Sequence, residues 1–145
     1  MDELKYPITP ENAHRFAELA VSAVKEHEGA TLDYSVRSLK VVDRIIGRFH
    51  KEGATVEDVE ITLFQFGCYV GEVFVRNAGG KWRRATRDEK KNVFGVPLVL
   101  QLDADTTANP IGKVKKRLEN GDEDNLPYFY RVFTGQKEKP WWRFW

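Results

Sequence analysis

Hydrophobic and polar positions divide this chain into three helix-period stretches, then two short strands, then two more helices. In the first stretch Ala13, Phe16, Ala20, Ala23, Val24 and His27 recur at helical spacing. Thr9-Pro10-Glu11 supplies a hydroxyl cap, a proline at the first helical position and an acidic first turn, and Gly29 ends the run. A second stripe, Leu39, Val42, Ile46 and Phe49, follows Asp33-Tyr34-Ser35, is widened by Val36 and Ile45, and closes at Gly53. Arg37, Lys40, Arg44, Arg48 and Lys51 lie mostly off it. The short connection predicts that these two helices lie side by side as a helical hairpin.

The third stretch opens with Thr55 and Asp58 at capping-box spacing. Val56, Val59, Leu63, Phe66, Val70 and Val73 form an apolar stripe. Asp58, Thr62, Gln65, Tyr69, Glu72 and Arg76 repeat the same intervals, displaced by about 200° around the helix axis. Alternation at period two appears only near Val73–Val75, so the stretch reads as a central helix with its polar stripe facing solvent. Asn77-Ala78-Gly79-Gly80 stops it. Gly67 and Gly71, on one face, predict a close approach by another element.

Beyond the glycines the period shortens. Strands are expected near 81–87 and 93–102, separated by the polar turn Arg87–Asn92, with Pro97 at an edge or bulge. Asp103 to Ala108 reads as a loop. Asn109-Pro110 opens a helix with Ile111, Val114 and Leu118 on one face, stopped at Asn120-Gly121. A last helix spans about Asn125 to Phe133. The sum is an α+β domain, about five helices packed around a small antiparallel sheet. We read residues 1–145 as one domain with an aromatic tail at 136–145.

Composition narrows the class. With 41% hydrophobic and 31% charged residues in 145, the chain belongs with globular rather than disordered proteins. It has no apolar run of membrane-spanning length, and no basic, apolar leader opens it. The single Cys68 excludes an internal disulfide and cysteine-rich zinc sites, and its apolar neighbours predict a buried, inert thiol. These features together predict a cytoplasmic protein. Charge is segregated: residues 1–80 carry 9 basic and 13 acidic side chains, whereas 81–118 carry 10 and 4. That asymmetry is either a surface for an acidic partner or a solvated face.

Motifs for catalysis are sparse. His14, His27 and His50 form no HExxH pair, and no phosphate-binding glycine loop is present. His27 and His50 fall near helix C-termini, where the dipole favours an imidazole. Asp103 and Asp105 are the weak candidates for a metal; they lack the remaining ligands of a calcium loop, and a capped loop explains them as well. No cofactor is implied. Gln65, Tyr69, Glu72 and Arg76 on the third helix form the one place for a small-molecule site or an enzyme. Arg83, Arg84 and the basic 81–117 region offer a nucleic-acid reading, though neither overall charge nor a reading element supports it. Trp141, Trp142 and Trp145 predict a tail that docks on this chain, on a second copy, or on a partner, rather than in a membrane.

The segments LDYSVRSLKVVDRIIGRF, FGCYVGEVFVRNAGGKW and PLVLQLDADTTANPIGKVKKRLENGDEDNLPYFYRVF, in that order, resemble a class of small bacterial domains of no established activity. In that class a helical hairpin precedes a G-x-Y-x-G-E helix and an N-P-x-x-x-V-x-K-R helix. The resemblance covers about residues 32–134. It implies no catalytic residues. Some similar domains occur beside polymorphic toxin or secretion systems, so it implies an immunity-type or accessory role by analogy. The leading expectation is therefore a non-enzymatic module that binds another protein.

Overall fold

Helix α1 (Ala13–Glu28) follows a 3-10 turn at Pro10–Asn12, where the Thr9 hydroxyl accepts from the Asn12 amide (3.3 Å). Helix α2 (Leu39–Lys51) follows a similar turn capped by Ser35. Helix α3 (Glu60–Ala78) is preceded by the expected reciprocal box: Asp58 N–H donates to Thr55 Oγ1 (3.2 Å) and Thr55 N–H to Asp58 Oδ2 (2.9 Å). Strand β1 (Lys81–Arg84), helix α4 (Arg87–Lys91), strands β2 (Leu98–Gln101) and β3 (Thr107–Ala108), and helices α5 (Pro110–Asn120) and α6 (Leu126–Thr134) complete the order. The computed structural model describes residues 4–91 and 96–135. Among these it shows six α-helices and one antiparallel sheet of order β1-β2-β3, an α+β fold.

Helix α3 is the central element. Every residue from Phe66 to Phe74 on it is buried, because α1 lies along one side, α5 along another, and Trp82 of β1 across a third. A helix covered all round needs few large polar groups and close neighbours. The two glycines supply the closeness. A Cβ on Gly67 would lie 2.6 Å from the Ile111 Cα of α5, and one on Gly71 would lie 2.0 Å from Cζ2 of the Trp82 ring. Gly79 and Gly80 then turn the chain into β1 at φ +83° and +114°, angles that side chains rarely adopt.

Three expectations about the fold are corrected. The first two helices do not form a hairpin. Helix α1 packs its Ala13, Phe16, Ala17, Ala20 and Val24 face on α3, whereas α2 packs on α5 and α6. The alanines let α1 sit close to α3, and the connecting loop is held open by its own contacts with α3. Residues 87–91 are helical rather than a turn. Thr86 and Glu89 make a capping box there, with Glu89 N–H to Thr86 Oγ1 at 3.2 Å and Thr86 N–H to Glu89 Oε1 at 2.8 Å. The 103–108 loop ends in β3, whose Thr107 and Ala108 pair with Gln101 and Leu100. Pro97 precedes β2 and offers only its carbonyl, which accepts from Ala85 N–H (3.0 Å). Residues 93–95 of the expected second strand, and the tail 136–145, lie outside the described residues.

Candidate functional site

The polar stripe of α3 faces solvent only in part: Asp58 and Arg76 are exposed, but its middle is covered. Tyr69 is fully buried and Glu72 is 6% exposed. Tyr69 Oη accepts the Tyr34 N–H (2.8 Å). It also lies 2.5 Å from Ser38 Oγ, which itself donates to Ser35 O (2.6 Å), so the phenol donates to the serine. Burial pushes the Tyr69 hydroxyl above its ordinary pKa. Glu72 Oε2 accepts from the Trp82 indole N–H (2.9 Å), and Oε1 faces Arg76 Nε at 3.6 Å. The Arg76 guanidinium stacks 3.5 Å above the Tyr34 ring, and the Tyr34 hydroxyl donates to Glu18 on α1 (2.9 Å). Tyr34 adopts φ +65°, the one described non-glycine residue with positive φ. Such a conformation costs of order 1–3 kcal/mol and persists only where surroundings over-determine it. Here its N–H, its ring and its hydroxyl are all engaged, and Asn77 Nδ2 donates to its carbonyl (2.8 Å).

Period-3.6 spacing brought Tyr69, Glu72 and Arg76 together correctly, but it did not say what covers them. The α1–α2 loop and Trp82 cover Tyr69 and Glu72, Arg76 stays 44% exposed over the Tyr34 ring, and the groups serve as a latch between loop and helix. Gln65 lies elsewhere, on the wall of a shallow hollow with Leu4, Phe16 and Leu19.

The other sequence candidates are dispersed. Arg83 donates to Glu89 through both terminal nitrogens (2.8 and 2.7 Å) and to Gln101 through Nε (2.9 Å). That pairing lowers the Glu89 carboxyl pKa to about 2. Arg84 is exposed at the end of β1. Lys113 pairs with Asp124 (2.6 Å). Three of the basic residues of the 81–117 region, Arg83, Lys113 and Arg117, are thus already matched with carboxylates. Asp103 and Asp105 are exposed, and Asp103 Oδ1 accepts from Asp105 N–H (2.9 Å), an Asx turn. Among the described residues no group of three His, Cys, Asp or Glu side chains could hold a metal, and no helix is long and apolar enough to cross a membrane. Trp141, Trp142 and Trp145 lie outside the described residues.

A different constellation comes together where α2 crosses α5. A hollow of about 490 Å³ is lined by Arg44, Gly47, Arg48, His50, Lys51, Arg117 and Asp122. Its floor is Arg117 of α5, whose side chain is 7% exposed. Nε of Arg117 donates to Asp43 Oδ1 (2.9 Å) and Nη2 to Asp43 Oδ2 (3.4 Å), while Asp43 Oδ1 also accepts the Leu126 N–H that begins α6 (2.9 Å). Gly47 makes room for this group: a Cβ there would lie 2.7 Å from Arg117 Nη2. His50 Nδ1 donates to the Leu118 carbonyl (2.6 Å) near the C-terminal end of α5. Arg48 forms a bidentate pair with Glu28 (3.0 and 2.6 Å).

Arg44 and Lys51 line the hollow with no ion pair within 4.0 Å among the described residues; Glu28, held by Arg48, is the carboxylate that Arg44 acts on at longer range. Of the four cations that line the hollow, Arg48 is matched by Glu28 and Arg117 by Asp43, which leaves Arg44 and Lys51 beside Asp122, a carboxylate 90% exposed at 3.9 Å from Arg117. In the sequence Arg44, Arg48 and Lys51 stand together off the apolar stripe of the second helix, and Arg117 stands apart in the basic 81–117 region. The only early signal was Asp43, an acid at the edge of the apolar stripe of α2, which marks a cation arriving from another element. No family model, no curated protein and no solved structure matches this chain.

Proposed function

We propose that the chain is a non-enzymatic module of the cytoplasm that binds another protein, of immunity or accessory type, through the cationic hollow between α2 and α5. The observation that carries this reading is the hollow's charge. Arg44 and Lys51 stand without a direct ion pair above a buried Arg117, in a concavity of about 490 Å³, with Glu28 acting on Arg44 only at longer range. Concave walls of one sign focus the field and draw in groups of the other sign. The occupant is accordingly an acidic surface whose carboxylates enter the hollow. Groups that catalysis would require free, Tyr69, Glu72 and Arg76, are spent on internal contacts.

The test is calorimetric titration of the full chain with a glutamate-rich peptide at low salt. The double variant Arg44→Glu/Lys51→Glu should weaken binding by at least roughly tenfold, which is about 1.4 kcal/mol. Added salt should weaken wild-type binding, because exposed charges are screened over about 8 Å at physiological ionic strength. Binding that survives charge reversal unchanged overturns the proposal.

A further inference from the structure

Beside the cationic hollow, across Arg48, lies a largely apolar groove of about 270 Å³ whose walls include Val24, Ile45, Phe49 and Phe66, with the Glu28 carboxylate on its lining held by Arg48. It exists because α1 and α2 diverge: α1 follows α3, α2 follows α5 and α6, and the Glu28–Arg48 pair spans the gap between their C-terminal ends. Arg48 lines both concavities. On α2 the residues alternate in a way that makes two adjacent rows. Arg44 and Arg48 stand one turn apart on the first, Ile45 and Phe49 one turn apart on the second, and the rows are about 100° apart around the axis.

We infer that hollow and groove form one recognition surface for an acidic amphipathic segment of a partner protein, with carboxylates toward Arg44 and Lys51 and large apolar side chains against Phe49 and Phe66. The inference rests on the reading above that the hollow is the binding face, and adds to it the apolar half of the partner's chemistry. Charge complementarity selects the segment. A purely apolar occupant would cover the groove but leave the neighbouring cations facing uncharged groups, and a purely acidic one would leave the groove wet. A segment running along α2 meets both rows at once, since its own side chains three or four positions apart lie on one face.

Fluorescence anisotropy with the full chain tests this using three labelled peptides of one length. One carries a glutamate row beside a leucine row, one has the leucines replaced by alanine, and one has the glutamates replaced by glutamine. The first should bind tightest, and each of the others should be weaker by roughly tenfold or more. Phe49→Ala should abolish the preference for leucine over alanine while leaving the glutamate preference intact. Arg44→Glu should do the reverse. Thr62→Gln, which narrows the groove from the α3 wall without removing an apolar side chain, should reproduce the Phe49→Ala result if that variant folds poorly.

Equal binding of the leucine and alanine peptides overturns the inference and leaves the cationic hollow as the binding face. No binding by any glutamate peptide at low salt overturns both. Tighter binding to vesicles of anionic lipid, with the same dependence on Phe49 and Arg44, assigns the surface to a membrane headgroup region and overturns the peptide.

Discussion

Gly71→Ala tests the packing that buries the α3 stripe. A Cβ at that position would sit 2.0 Å from Cζ2 and 2.3 Å from Cη2 of Trp82, well inside contact distance. The indole has little freedom to retreat: it is 8% exposed and its N–H is held by Glu72 at 2.9 Å. Alanine gains about 1 kcal/mol over glycine in helix propensity. Against that, overpacking costs about 1–3 kcal/mol. Displacing the ring also breaks the bond to a buried carboxyl, another 1–3 kcal/mol or so. The net expectation is a loss of about 3 kcal/mol, read as a lower urea midpoint at constant m-value.

The cycle with Trp82→Phe isolates the cause. Phenylalanine lacks the outer ring atoms that meet Gly71, so Gly71→Ala in that background should cost under about 1 kcal/mol, a coupling of at least 2 kcal/mol or so. A Gly71→Ala protein within about 0.5 kcal/mol of wild type would refute the reasoning, and so would an equal cost in both backgrounds.

Other expectations follow from the same contacts. Glu89 has its pKa depressed to about 2, first by Arg83 and then by the Thr86 amide, against an ordinary value of 4.5. Its stabilising contribution is therefore present above pH 4.5 and is lost as the pH falls from there toward 2; Glu89→Gln should flatten thermal stability across that window, whereas an unchanged acid limb contradicts the pairing. Tyr69→Phe removes the acceptor of the Tyr34 amide and the partner of Ser38, and should cost about 1–3 kcal/mol in chemical denaturation and hasten proteolysis of the α1–α2 loop. Cys68 is fully buried and its thiol pKa is pushed well up by burial and by Glu72, so thiol reagents should label it only at the rate of unfolding; rapid labelling of native protein contradicts this.

Local signals in the sequence located most elements, since they are written in adjacent residues. Asn109-Pro110 opens α5, with Asn109 Oδ1 accepting from Gly112 N–H (2.9 Å), and Asn125 caps α6 in the same way through Tyr128 N–H (2.9 Å). Helix α4 has a local signal too, the Thr86…Glu89 capping box, but it sits in a run whose polarity is equally that of a turn. Pairings between elements were less legible. A short connection suggested that α1 lies on α2, yet the alanine face of α1 fits α3 better, and the connection is spent on the Tyr34 latch. The same limit applies to function. Spacing grouped Tyr69, Glu72 and Arg76 on one face, but the coverage of Tyr69 and Glu72 by Tyr34 and Trp82 depends on the tertiary arrangement. Arg44 and Arg117, 73 positions apart in the chain, meet only because Gly47 admits α5 against α2.

The most direct test is an amide chemical-shift map of the full chain titrated with the glutamate–leucine peptide. The account predicts saturable shifts concentrated at Arg44, Gly47, Arg48, Phe49 and Lys51 of α2 and at Arg117 of α5, with Tyr69, Glu72 and residues 81–91 unmoved. Shifts centred on β1 and α4, or on the Tyr69–Glu72–Arg76 stripe, would contradict it.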